Sequence, residues 1–277
     1  MPSDELPRGR GIHRRAGGLT VLRQLLRHRR LERRLRSRDG SFRSTDAATV
    51  SRTYGAMSAA EFEELNALQQ WFNEKAIPLA VRHALTITGK QPQSMIDLGC
   101  GSGGSTELLA RCAPPGSRLL GYEMCPSLLA SARTREYRDA RGEPLPCAFV
   151  RQSITDTLRD PAGAPLPNGS CDLAHSAGVI GHHLGSDDLE RLVRELHRVL
   201  RRGGVAILDG GPCLPRHRLR AVMRRHGFAL RWSGGIWRLS RRAPMVFRLD
   251  APPGEPAASR AESLTRAESC RAVRNPC

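Results

Sequence analysis

Four glycines fall within six positions of the run SMIDLGCGSGGST, residues 94–106: Gly99, Gly101, Gly103 and Gly104. They follow a short apolar stretch, 94–98, and precede Ser105 and Thr106, either of which can open a helix. A strand, a tight glycine turn and a helix are the start of a β–α unit. Glycine at the turn permits positive φ and lets a ligand approach the backbone closely. In open α/β sheets ligands bind outside the carboxyl ends of strands. The spacing 99, 101, 104 fits a dinucleotide loop, and 97, 99, 101, 103 fits a nucleoside ligand with no phosphate at the turn. A bare turn rarely needs four glycines.

Two acids bear on the choice. Asp97 sits inside the strand end, where a phosphate-binding loop carries an apolar residue. A carboxylate there repels a pyrophosphate and favours a cationic ligand, by contact or through water. Glu123 closes the next strand-like run, LLGYE, where an acid can accept both ribose hydroxyls. Glu123 therefore indicates a ribose without choosing between the two cofactors, and Asp97 points to a positively charged ligand.

The rest of the chain alternates strands and helices. Strands are expected at 94–98, 118–123, 147–151, 171–176, 204–209, 227–232 and 244–249. A helix is expected over 186–203, with Asp187 and Glu190 as a capping box and Gly203-Gly204 ending it. Its buried stripe is Leu189, Leu192, Val193, Leu196, Val199 and Leu200. A short helix is expected over 216–226. Such alternation gives a mainly parallel sheet covered by helices. Residues 46–93 read as a helical cap, 1–45 as a basic arm, 94–250 as the main domain and 251–277 as a disordered tail.

From these residues the chain resembles class I S-adenosylmethionine-dependent methyltransferases. The resemblance rests on DLGCGSG (97–103), GYEMCPSLL (121–129), CDLAHS (171–176) and LHRVLRRGGVAILD (196–209), in that order and spacing. It implies a Rossmann-like, doubly wound, seven-stranded sheet, mainly parallel with an antiparallel last strand, and helices on both faces. It implies S-adenosyl-L-methionine as cofactor. The cofactor site would comprise Asp97, Gly99, Cys100, Gly101, Gly103, Glu123, Met124 and Ser176. After the third strand the family often has an acid near the adenine; here Gln152 or Ser153 would make that contact, with Ile154 on the adenine face. His182 and His183, which follow the fourth strand, are the candidate bases. Tyr54, Trp71 and Asp209 are candidate substrate contacts, Tyr54 and Trp71 lying in a segment that resembles the lid of small-molecule members.

Composition narrows the acceptor. The net charge is +17, and 42 of the 44 basic residues are arginine. Residues 1–52 carry 14 arginines against 5 acids, so the body is only moderately basic. Charge alone does not establish a nucleic-acid partner, and aromatics, the stacking platforms of single-stranded RNA binding, are 4% of the chain. The eight cysteines contain no C-x-x-C pair, so neither zinc-ribbon spacing nor another metal site is expected. No run reaches the ~20 apolar residues of a membrane span, and the cytoplasm is the expected location. A small-molecule methyltransferase is the first reading. An rRNA or tRNA methyltransferase gripping phosphates with the arm, a nicotinamide-dependent reductase and a non-catalytic binding protein of the same fold are the others.

Overall fold

The computed structural model describes Leu26, Arg30, Arg33, residues 44–234 apart from the Leu68 side chain, and residues 243–250. The expected arm and tail lie outside these residues, save the three named in the arm and the junction at 44–45. Two helices, α1 (Ala47–Gly55) and α2 (Ala59–Thr88), lead into β1 (Ser94–Leu98), α3 (Gly104–Ala110), β2 (Arg118–Glu123) and α4 (Pro126–Arg133). Next come β3 (Cys147–Arg151), β4 (Cys171–Ser176), α5 (Ile180–His183), α6 (Ser186–Val199), β5 (Leu200–Leu208), α7 (Arg216–Arg225), β6 (Phe228–Ser233) and β7 (Met245–Leu249).

The strands form a seven-stranded sheet in the order β3-β2-β1-β4-β5-β7-β6. β1 to β5 pair in parallel, and β7 runs antiparallel to both β5 and β6. The chain order reverses between β1 and β4, and a switch of this kind opens a crevice at the carboxyl ends. Successive side chains of the central strands enter opposite layers. Ile96, Ala174, Ala206 and Leu208 meet α6 and α7 through Leu192, Leu196 and Leu219. Met95, Leu173, Val205 and Ile207 meet α2, α3 and α4 through Val81, Leu109 and Leu129. Burying each large aliphatic side chain stabilises the fold by about 1.5–3 kcal/mol.

Helix α2 has two jobs. Its start is set by a capping box: Ser58 Oγ accepts the Glu61 N–H at 3.2 Å, and Glu61 returns a bond to the Ser58 N–H at 3.1 Å. Its second half, with Ile77, Ala80, Val81 and Ala84, is buried against the sheet. Its first half extends over the glycine turn. The segment read from the sequence as a cap is therefore half lid and half core.

Two local expectations are corrected. The expected capping box of α6 does not form: Gly185 is the N-cap without a side-chain bond, and Glu190 turns to His226 and Arg225 of the α7 end. That helix also stops at Val199, before the glycine pair. Gly203, at φ 78°, and Gly204 lie instead inside β5, where the β4 register shifts between Cys171 and Leu173. A β-carbon on Gly204 would sit 2.8 Å from the Arg201 carbonyl, so the pair serves a bulge and not a helix end.

Candidate active site

The turn after β1 is tied to β2 from below, because the N–H groups of Gly99 and Cys100 both donate to the Tyr122 carbonyl, at 2.8 and 3.0 Å. Gly99 and Gly101 have φ of 73° and 56°, the left-handed region that other residues rarely adopt. A β-carbon on Gly99 would lie 2.4 Å from Val179, and one on Gly101 would lie 2.7 Å from the Phe62 ring of α2. The glycines thus let the 177–179 segment and the lid close on the turn.

Two cavities meet at this turn and share Phe62, Asn66, Gly99, Gly101 and Ala177. One, of about 460 Å³, lies between the turn and the lid face that carries Gln70, Trp71 and Asn73. The other, of about 400 Å³, runs over the ends of β2, β3 and β4 to α1 and α5. Its wall includes Glu123, Met124, the 152–155 segment, Tyr54 and His183.

Glu123 is the polar centre of the second cavity. One carboxylate oxygen accepts the Gly101 N–H at 3.0 Å and the other accepts the Cys125 N–H at 2.8 Å. Burial raises its pKa above the ordinary carboxylate value, against those N–H groups, which lower it. Each oxygen keeps a lone pair for a ligand hydroxyl. Met124 and Ile154 give the same cavity apolar walls.

At its other end, Tyr54 Oη and His183 Nε2 are 3.0 Å apart, and His183 Nδ1 lies 3.3 Å from the Ser44 carbonyl. A carbonyl only accepts, so Nδ1 carries the proton and Nε2 accepts from the tyrosine hydroxyl. Burial lowers the His183 pKa and raises that of Tyr54. The imidazole is held neutral, with its basic nitrogen on a phenol.

Several expected contacts are corrected. Asp97 is fully buried and lines neither cavity. Its Oδ1 meets His175 Nδ1 at 2.8 Å, and its Oδ2 accepts Ser105 Oγ at 2.8 Å and Thr106 Oγ1 at 2.6 Å. It fastens β1 to the start of α3 and to β4, and its charge acts on the site from beneath. Gly103 faces Tyr137 and Arg135 and lines neither of these two cavities. Ser176 is buried and donates to the Leu98 carbonyl at 2.9 Å. Gln152 lines the cavity, but its amide is engaged within its own loop, donating to the Thr157 carbonyl at 2.7 Å and accepting from the Arg159 N–H at 3.2 Å. Ser153 and Thr155, hydrogen-bonded to each other at 2.9 Å, are the hydroxyl residues of this segment at the wall.

Asp209 is buried, lines neither of these two cavities and accepts the Gly178 N–H at 2.9 Å, so it braces the 177–179 wall. Cys100 and Trp71 line the lid-side cavity, apart from Tyr54. Trp71 is edge-on to Phe72, with Lys75 Nζ 5.2 Å from its ring centre. Of the two histidines, His183 lines the second of these cavities and His182 neither of the two.

Sequence reading missed Phe62, Asn66, Ala177 and Arg135. The capping box at Ser58 and Glu61 places Phe62 in the first turn of the lid, a signal that was available. Arg135 had none: it donates to the Ser102 carbonyl at 2.5 Å and pairs with Glu63 and Glu107, joining lid, turn and α3 across distant sequence. Among the described residues no group of His, Cys, Asp and Glu is arranged to hold a metal ion.

Known proteins resemble this chain in sequence and fold. Residues 96–208 match the family described as methyltransferase domain. The trans-aconitate 2-methyltransferase of Paracidovorax citrulli (strain AAC00-1) is 37% identical over 119 residues, 42% of this chain and 37% of that protein. Its namesake from Acidovorax ebreus (strain TPSY) is 39% identical over 140 residues, 50% of this chain and 46% of that protein. The chain spans less than half the length of the curated relatives it matches. Among solved structures, a proposed O-methyltransferase of Nostoc punctiforme PCC 73102 has the same fold, with a TM-score of 0.50 and 14% identity over 71% of this chain and 60% of that one.

Proposed function

We propose that the chain, whose residues 96–208 match a methyltransferase domain, transfers a methyl group from S-adenosyl-L-methionine to a small molecule. The observation that carries this reading is Glu123, which is bonded to the glycine turn and faces a cavity large enough for a nucleoside. The donor set fits the cofactor. Glu123 would take the ribose hydroxyls, Met124 and Ile154 the adenine faces, Ser153 its polar edge, and the Gly99–Gly101 backbone the remainder. The bound cofactor supplies an electrophilic methyl on a sulfonium.

The protein's own part is positioning and water exclusion. Alignment of an acceptor can contribute ~7–11 kcal/mol to lowering a barrier. The lid half of α2, clasped by Arg135, and α1, held through Tyr54 by His183, close the two sides of the turn. A small acceptor is supported by the names of the relatives and by a cavity of about 400 Å³ shared with the cofactor site. No helix among the described residues is long and apolar enough to cross a membrane. Six free thiols among the described residues support a reducing, cytoplasmic setting.

Calorimetry with S-adenosylmethionine, S-adenosylhomocysteine and NADH tests the proposal. Both adenosyl compounds should bind. Binding of NADH with neither adenosyl compound would overturn it.

A further inference from the structure

The far end of the 400 Å³ cavity holds the Tyr54–His183 pair, and the surroundings of that pair narrow the acceptor. Resting on the methyltransferase reading, we infer that Tyr54 and His183 form a proton relay, and that the acceptor is an uncharged hydroxyl compound of the phenol or enol class.

Three observations converge. First, the hydrogen bonds run one way: Tyr54 Oη–H donates to His183 Nε2, and Nδ1–H donates to the Ser44 carbonyl. A proton entering at the tyrosine oxygen has a continuous path to a basic nitrogen whose other side is already fixed. Second, both side chains line the cavity that holds Glu123 and the glycine turn, so the pair opens on the space where an acceptor would stand. Third, the charges in that cavity do not suit a polyanion. Among the described residues its charged side chains are Asp46 from the start of α1, Glu123 from β2, and Asp188 and Arg191 from α6. Arg191, the cation of that set, is paired with Asp188. His182, next to His183, lies outside the wall. A tricarboxylate would meet more acids than bases. A carboxylate acceptor is also ionised at neutral pH and has no proton to give, whereas a phenol near its ordinary pKa of ~10 does.

The step balances. The acceptor O–H gives its proton to Tyr54 Oη while the tyrosine proton passes to His183 Nε2. The C–O bond forms as the S–C bond of the methyl sulfonium breaks. Sulfonium becomes neutral thioether and imidazole becomes imidazolium, so the positive charge is conserved. General-base help of this kind contributes typically about 10²–10⁴-fold to rate.

The test uses the full chain saturated with S-adenosylhomocysteine. A panel of substituted phenols and trans-aconitate are titrated in, and phenolate absorbance is followed against pH. Bound phenols should ionise at least about one pH unit below their free values, a tenfold change in ionisation constant. Tyr54→Phe and His183→Gln should each remove that shift. Should the His183 variant fail to fold, Tyr54→Phe, which deletes one hydroxyl and keeps the ring, carries the comparison. Phenols that ionise as they do in water, or a shift that survives both substitutions, overturn the relay. A panel that fails to bind, or binding of trans-aconitate in its place, overturns the acceptor class. Failure of the wild-type chain to take up S-adenosylhomocysteine counts against the cofactor reading instead, and the same titration without it then decides the pair.

Discussion

The carboxylate of Glu123 holds the main-chain N–H of Gly101 at 3.0 Å, so the ribose-facing acid and the glycine turn are one hydrogen-bonded unit. Replacing Glu123 by Ala removes two effects at once, the charge-assisted bonds to a ligand hydroxyl and the brace on the turn. Each charged hydrogen bond is worth about 1.5–3 kcal/mol. The dissociation constant for S-adenosylhomocysteine should therefore rise at least about tenfold. Calorimetry on a variant with unchanged circular dichroism measures this, and an unaltered constant would place the ribose elsewhere.

Gly101 and Phe62 are in close contact: a β-carbon at Gly101 would stand 2.7 Å from the ring, and the Gly101 φ is 56°. Gly101→Val should lower the melting temperature and abolish adenosyl binding. Adding Phe62→Ala should recover part of the lost stability by removing the clash. The left-handed backbone, at about 1–2 kcal/mol for a residue with a β-carbon, should keep the double variant below wild type. Recovery to the wild-type melting temperature would show that the lid contact alone required glycine.

His183 gives stability a pH dependence of defined sign. Burial lowers its folded pKa below the ordinary 6.5, so the unfolded chain takes up a proton first as pH falls. The neutral buried ring contributes its full stability above pH 6.5, and that contribution is lost progressively below it, toward the folded pKa. Melting temperatures of wild type and His183→Gln between about pH 7.5 and 5 should converge as pH drops. Parallel curves would mean that the ring is protonated equally in both states.

Deleting residues 1–43 separates a metabolite from a nucleic acid as acceptor. The deletion removes 13 arginines and keeps Ser44, whose carbonyl meets His183. Cofactor affinity should persist, and RNA binding should be weak in both forms. If instead the full chain binds RNA tightly, with a steep salt dependence that vanishes on truncation, the arm is a phosphate grip. Loss of RNA methylation alongside would replace the small-molecule proposal.

Much of this protein is local in origin and legible in its residues. The expected spans of β1 to β4 coincide with the observed ones, because the Gly, Pro, Ser and Asn residues that flank these runs end a strand locally. The acid closing β2 and the glycines after β1 marked the cofactor end, since their conformational and charge requirements are set within a few positions. Which of these residues face the cavity was decided only in three dimensions. Asp97, Ser176 and Asp209 sit at strand ends, where sequence reads them as ligands, yet each is turned inward to satisfy backbone or hydroxyl groups of a neighbouring element. A buried polar group has to find a partner wherever packing brings one. The same holds for Tyr54 and His183. They lie 129 residues apart, and no periodicity or spacing connects them. Their pairing exists because α1 folds back over the switch between β1 and β4, and that contact belongs to the tertiary structure alone.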